Sequence, residues 1–277
     1  MGGRAGPGSA GVRTRFGRPP GFDETALVRR TCLATARMRP QQARFAFRCK
    51  EIRGPMMQPN LLRTQSEKEY AQLGAEWILE ALEQSLTRNR TCTLMLAGGT
   101  APLPVYRRLA EVSKQRALDE LWDRVHIFFG DERCVPPDHE ESNYRQAMES
   151  LLGPLGIAPE NVFRMHAESP DVEQAAREYE LKLPKPVDVM LLGMGEDAHT
   201  ASLFPGDPAA AKLLSGVAHV VAPKPPPNRL TILPAVITQA RTRLLMIKGT
   251  SKHAALRTAL QGPWNPPQAP VQWALCN

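Results

Sequence analysis

Apolar residues change their spacing along this chain in a way that sorts it into helices and strands. Ser66-Glu67-Lys68-Glu69 has the form of a helix capping box, and Tyr70, Leu73, Trp77, Leu79 and Leu82 follow at the spacing of one helical face. Residues 91–97 then form a short apolar run of strand length, Gly98-Gly99-Thr100-Ala101-Pro102 a tight turn, and the residues from Pro102 towards Lys114 a second helix. The alternation repeats. Residues 124–129 predict a buried strand, a Pro-rich and acidic loop leads to a helix near Ser142, and residues 171–182 predict another helix. Residues 187–192, 217–222, 229–233 and 242–248 predict strands, residues 250–260 a helix, and residues 271–275 a last strand candidate. Strands alternating with helices predict an α/β fold: a three-layer, Rossmann-like, mainly parallel sheet with helices on both faces.

Composition changes this picture only at the N-terminus. With 277 residues, 42% apolar and 23% charged, the chain is an ordinary globular protein, and its net charge of +7 would ordinarily raise nucleic-acid binding. The charge is not spread evenly, however. Residues 1–50 hold ten Arg and one Lys against Asp23 and Glu24, a balance of +9, which leaves −2 for residues 51–277. Residues 1–56 are therefore read as a basic, disordered extension, and residues 57–277 as the folded domain. Three origins of the extension stay open: a start placed upstream of a true first residue at Met56 or Met57, an organellar targeting segment, or a basic arm. No apolar run approaches the ~20 residues needed to cross a bilayer. Cys32, Cys49, Cys92, Cys134 and Cys276 contain no C-x-x-C pair, so neither a zinc site nor a disulfide framework is expected, and a reducing cytoplasmic setting fits best.

Candidate chemistry gathers where the predicted strands end. The strand at 187–192 runs into Gly193-Met194-Gly195-Glu196 and then places Asp197 two residues before His199. In open α/β sheets the crevice at the carboxyl ends of the strands is where ligands bind, and an imidazole there can serve as a base near neutral pH. By position alone the pair is as readily structural as catalytic. Gly98, Gly99 and Thr100 offer backbone N–H groups at a helix start, which favours phosphate, although Gly-Gly turns before helices are common and nucleotide-binding spacings are absent. Arg229 precedes a strand, and Lys252 opens a helix against the helix dipole, which a nearby anion would explain; alone, each reads as solvated charge. Asp131, Glu132 and Arg133 cluster after a strand, where a surface salt-bridged turn is the plain alternative.

Taken together, these segments resemble the 6-phosphogluconolactonase family. The resemblance rests on Leu96–Pro102, on Gly130–Pro136 followed by Ser142-Asn143, on Leu192–Pro205, on Pro225–Thr231, and on Gly249-Thr250-Ser251-Lys252. These occur in the family's order across roughly residues 60–275. It implies hydrolysis of 6-phospho-D-glucono-1,5-lactone to 6-phosphogluconate in the oxidative pentose phosphate pathway, without metal or organic cofactor. His199 would be the general base, Asp197 or Asp131 its carboxylate partner, and Gly98, Gly99, Thr100, Arg133, Arg229 and Lys252 the phosphate grip. The implied partner is a phosphorylated sugar lactone, with no nucleic acid or membrane, and a monomer or weak homo-oligomer is expected.

Of the three departures from the family pattern, two are substitutions in its glycine turns, and the third is an expected end at Asn277 without the additional helix that some relatives carry. The family's Gly-Gly-Ser-Thr-Pro turn has Thr100 and Ala101, which keeps one hydroxyl and loses the other. Its glycine between the Asp and the His is Ala198, harmless at negative φ and costly in a left-handed conformation. The alternatives are a glucosamine-6-phosphate deaminase-like isomerase, whose relatives typically have Asp-Glu-Tyr where this chain has Asp131-Glu132-Arg133, and a non-catalytic sugar-phosphate sensor. No helix-turn-helix pattern in residues 1–56 favours the latter.

Overall fold

A computed structural model of the chain describes residues 60–276 and, for its backbone alone, Thr25–Thr31. Four strands form the parallel centre of the larger sheet: β3 (Cys92–Leu96), β4 (Val125–Phe129), β6 (Val189–Gly193) and β9 (Thr242–Lys248). With β1 (Thr25–Thr31) and β2 (Asn60–Thr64) the order is β2-β1-β9-β6-β3-β4. Such strands are covered on both faces, which is why they read as near-continuous apolar runs. Alternate residues face opposite cores. Leu94, Leu96, Ile127, Phe129, Val189, Leu191 and Leu244 pack under α1 (Glu67–Leu86) and α2 (Leu103–Gln115). Met95, Phe128, Met190, Leu192, Leu245 and Ile247 pack with the residues of the opposite face, among them Tyr179, Val236, Ile237 and Trp273. Helix α1 starts as its capping box predicts: Ser66 Oγ accepts from the Glu69 N–H at 3.2 Å, and Glu69 Oε2 accepts from the Gln65 N–H at 2.7 Å.

Three findings differ from the sequence expectations. Asp131–Arg133 is a strand, β5, rather than a turn; it pairs antiparallel with β8 (Asn228–Ile232), which pairs with β7 (Val217–Val221) in a second, three-stranded sheet. The chain passes directly from β4 through Gly130, whose carbonyl accepts from Ile232 N–H at 2.9 Å. Secondly, Gln272–Leu275 is helical rather than extended. Its residues do not alternate between core and solvent: Gln272 is buried with its amide bonded to Asn265 and Pro263, and Trp273 donates to the Ala210 carbonyl at 2.9 Å. Thirdly, Thr25–Thr31, inside the segment read as a disordered extension, is the strand β1, antiparallel to both β2 and β9. Its short apolar centre, Ala26-Leu27-Val28, carried too little periodicity to stand out from the basic residues around it. The rest of residues 1–59 lies outside the described residues.

Candidate active site

A cleft of about 310 Å³ opens at the carboxyl ends of β3, β4, β6 and β9. Gly98, Gly99, Thr100, Asp131, Arg133, His199, Arg229 and Lys252 all line it, so every expected phosphate-binding residue reaches one place. Lys248, at the end of β9 and paired with Glu67, also lines it. Nothing local set this lysine apart, because its place at the cleft depends on which strand end it occupies.

The imidazole is held from one side. Asp197 Oδ1 lies 2.5 Å from His199 Nδ1 and also accepts the His199 backbone N–H at 3.2 Å. This carboxylate forms the ring contact, whereas Asp131 is engaged elsewhere. Nε2 of His199 has no hydrogen-bond partner among the described residues. Burial opposes ionisation of Asp197, but the hydrogen bonds from His199 and the positive charge of Lys224 outweigh it and hold the carboxyl far below its ordinary range. The turn requires a glycine at 195: a Cβ there would lie 2.0 Å from His199 Nδ1 and 2.3 Å from Asp197 Oδ1. Ala198 has φ +65°, so the alanine occupies the left-handed conformation that costs it most.

Phe204, itself buried, organises three polar groups. The His199 ring tilts over it with centroids 4.7 Å apart, while Lys224 Nζ and the Arg229 guanidinium carbon lie 5.4 and 5.5 Å from its centroid. Arg229 is buried, and among the described residues its hydrogen bonds go to neutral oxygens: the carbonyls of Pro225 and Pro226 and the Ser202 hydroxyl. Burial and the nearby Arg133 push its pKa down, with Asp131 opposing them. A guanidinium at a cleft wall with no carboxylate partner of its own among the described residues is suited to an anion.

Asp131 belongs to a buried network. Ser202 Oγ donates to its Oδ2 at 2.7 Å, and Asn143 Nδ2 donates to its backbone carbonyl at 2.9 Å. Asn143 lies against the Gly98–Thr100 turn so closely that a Cβ on Gly98 would meet its Oδ1 at 2.0 Å. Glu132 accepts N–H bonds from Arg133, Asn143 and Tyr144 at 2.7 to 2.8 Å, so it caps the helix Asn143–Ala147 rather than facing the cleft. Burial pushes its carboxyl up against the pull of those donors. Asn143 and Ser202 were visible only as members of the motifs; their roles depend on contacts 12 and 71 residues away in sequence. Among the described residues, no three His, Cys, Asp or Glu side chains are placed to hold a metal ion, and no helix is long and apolar enough to cross a membrane.

Residues 65–277 match the family of glucosamine-6-phosphate isomerases/6-phosphogluconolactonase. The chain belongs to this family. A 6-phosphogluconolactonase from Mycobacterium leprae is 35% identical over 201 residues, 67% of this chain and 79% of that protein. A probable chloroplastic 6-phosphogluconolactonase from rice is 32% identical over 216 residues, covering 72% of this chain. The chain spans 65% of that rice relative's length. Among solved structures, 6-phosphogluconolactonase from Trypanosoma brucei aligns with a TM-score of 0.67 at 29% identity, over 76% of this chain and 89% of that one. The family region contains every cleft residue, from Ala97 to Lys252, whereas β1 lies outside it.

Proposed function

We propose that the protein hydrolyses 6-phospho-D-glucono-1,5-lactone to 6-phosphogluconate, with His199 as general base. The observation that carries this reading is the imidazole at the cleft wall, its Nδ1 taken by an ionised Asp197 and its Nε2 without a hydrogen-bond partner among the described residues. A carboxylate at Nδ1 fixes the tautomer that leaves Nε2 as the proton acceptor. A water proton passes to Nε2 as the water oxygen bonds to the lactone carbonyl carbon, and the carbonyl electrons move onto its oxygen. As the carbonyl re-forms, the bond to the ring oxygen breaks and that oxygen takes the proton from Nε2. The free acid then loses its proton to water. Only water and the imidazole are consumed or restored in this sequence, and an ester with an alkoxide leaving group needs no covalent nucleophile.

Arg133, Arg229 and Lys252, with the N–H groups of the Gly98–Thr100 turn, would hold the phosphate at the far end of the substrate. Residues 51–277 carry a net charge of −2, so an anionic sugar is held by this local cluster rather than by the overall field. The relatives' names favour the lactonase over the isomerase within the family. We further place the protein in a reducing compartment, which suits the thiols of Cys92 and Cys134, and expect a monomer or weak homo-oligomer.

The test generates the lactone in place with glucose-6-phosphate dehydrogenase and subtracts spontaneous hydrolysis. The parent protein should accelerate hydrolysis, and His199→Ala should lose about 10²- to 10⁴-fold of that rate. A His199→Ala protein as fast as the parent, or a parent that releases ammonia from glucosamine 6-phosphate and leaves the lactone untouched, would overturn the reading.

A further inference from the structure

A carboxylate 2.5 Å from an imidazole nitrogen creates a difficulty for a base. Left alone, such a neighbour favours the doubly protonated ring, in which Nε2 carries a proton and can accept none. The site contains a group placed to counter this. Lys224 Nζ stands 3.7 Å from Asp197 Oδ2, the carboxylate oxygen turned away from the ring, and 3.5 Å from His199 Nδ1. It rests on the face of Phe204, the same ring that His199 tilts over. The remaining charges are arranged around the cleft: Arg229 on the Phe204 ring, Asp131 behind Ser202, Arg133, Lys248 with Glu67, and Lys252 with Glu196.

We propose that Lys224 is a positioning residue that balances the charge of Asp197, so that the carboxylate orients His199 without holding a proton on Nε2. The ammonium holds Asp197 Oδ2, which fixes the carboxylate plane against the ring. It also makes a second positive charge beside it unfavourable. The sign is definite: removing the cation lets the ring keep its proton to higher pH, so the fraction of free base at a given pH falls.

This inference depends on the lactonase reading for its kinetic readout and on spectroscopy for an independent one. In the full chain, Lys224→Met should move the acid limb of the kcat profile to higher pH by about half a unit or more. It should lower kcat below that limb more than it changes KM. Lys224→Arg should restore the parent profile. Imidazole ¹⁵N resonances, with His199 assigned by its loss in His199→Ala, should show the same upward displacement of the titration midpoint in Lys224→Met. The lysine side chain is 46% exposed, so its removal should leave the thermal melt unchanged. An unmoved midpoint in Lys224→Met, or a changed KM with an unmoved acid limb, overturns the proposal. A displaced midpoint in a protein without lactonase activity would instead remove the functional reading and leave the role of Lys224 standing.

Discussion

The two glycine turns of the cleft meet the same conformational demand with different residues. At the end of β3 the left-handed position is Gly99, at φ +84°; at the end of β6 it is Ala198, at φ +65°. Each turn also contains a glycine required for space rather than for φ: Gly98 against the Asn143 amide, and Gly195 against the His199 ring. Crowding and backbone conformation are thus separate requirements, carried by neighbouring positions. The pattern this chain resembles has glycine at positions 98, 99 and 198, and only the last of these, a conformational one, is replaced here. A Cβ at Ala198 strains the backbone by an amount the fold can absorb, whereas a Cβ at Gly195 would occupy the place of the His199 ring itself.

Substitutions at these positions separate the two requirements. The largest effect is expected for Gly195→Ala, whose Cβ would overlap the imidazole and displace it; lactonase activity should fall by about a hundredfold or more while circular dichroism shows a folded protein. Gly98→Ala should come next. Its Cβ would expel the Asn143 amide, breaking the bonds to Asp131 and costing about 1–3 kcal/mol in urea unfolding, together with a rise in KM. Gly99→Ala meets no atom within 4 Å, so only backbone strain remains, about 1–2 kcal/mol by the same measurement. The smallest change is a gain: Ala198→Gly should stabilise the protein by about 0.5–1 kcal/mol, because relief of the left-handed strain exceeds the added freedom of the unfolded chain. Equal stability of Ala198→Gly and the parent would mean that the turn imposes no strain, and the contrast between the two turns would dissolve.

Much of the central sheet was legible in the sequence because its signals are local. Cys92–Leu96 and Val189–Gly193 are mainly apolar runs of strand length that lead into glycine-containing turns, and the capping box at Ser66 marked α1 within one residue. The expected cleft residues converge because a parallel sheet brings all its strand ends to one edge. What was not legible depends on partners distant in the chain. Asp131–Arg133 became a strand only because β8 lies beside it, and Thr25–Thr31 only because β9 and β2 do. Residues 271–275 could be read as extended until the contacts of Gln272 and Trp273 were known. The same holds for Lys224 and Lys248: a lysine in a proline-rich loop and one at a strand end have no local mark that separates them from solvated charge. Ala198 shows the opposite case, since its identity was evident from the start and only its backbone angle was needed to give it meaning.

Because His199, Lys224 and Arg229 all touch the single phenyl ring of Phe204, the three positions are not independent units of design. A smaller side chain at 204 would loosen His199, Lys224 and Arg229, the proposed base, its proposed balancing charge and the proposed anion-binding arm, in one stroke. Exchanging any one of the three alters the surface on which the other two rest. Double-mutant cycles among them should therefore depart from additivity, and a change sought at Arg229 must reckon with His199 and Lys224 as part of the same assembly.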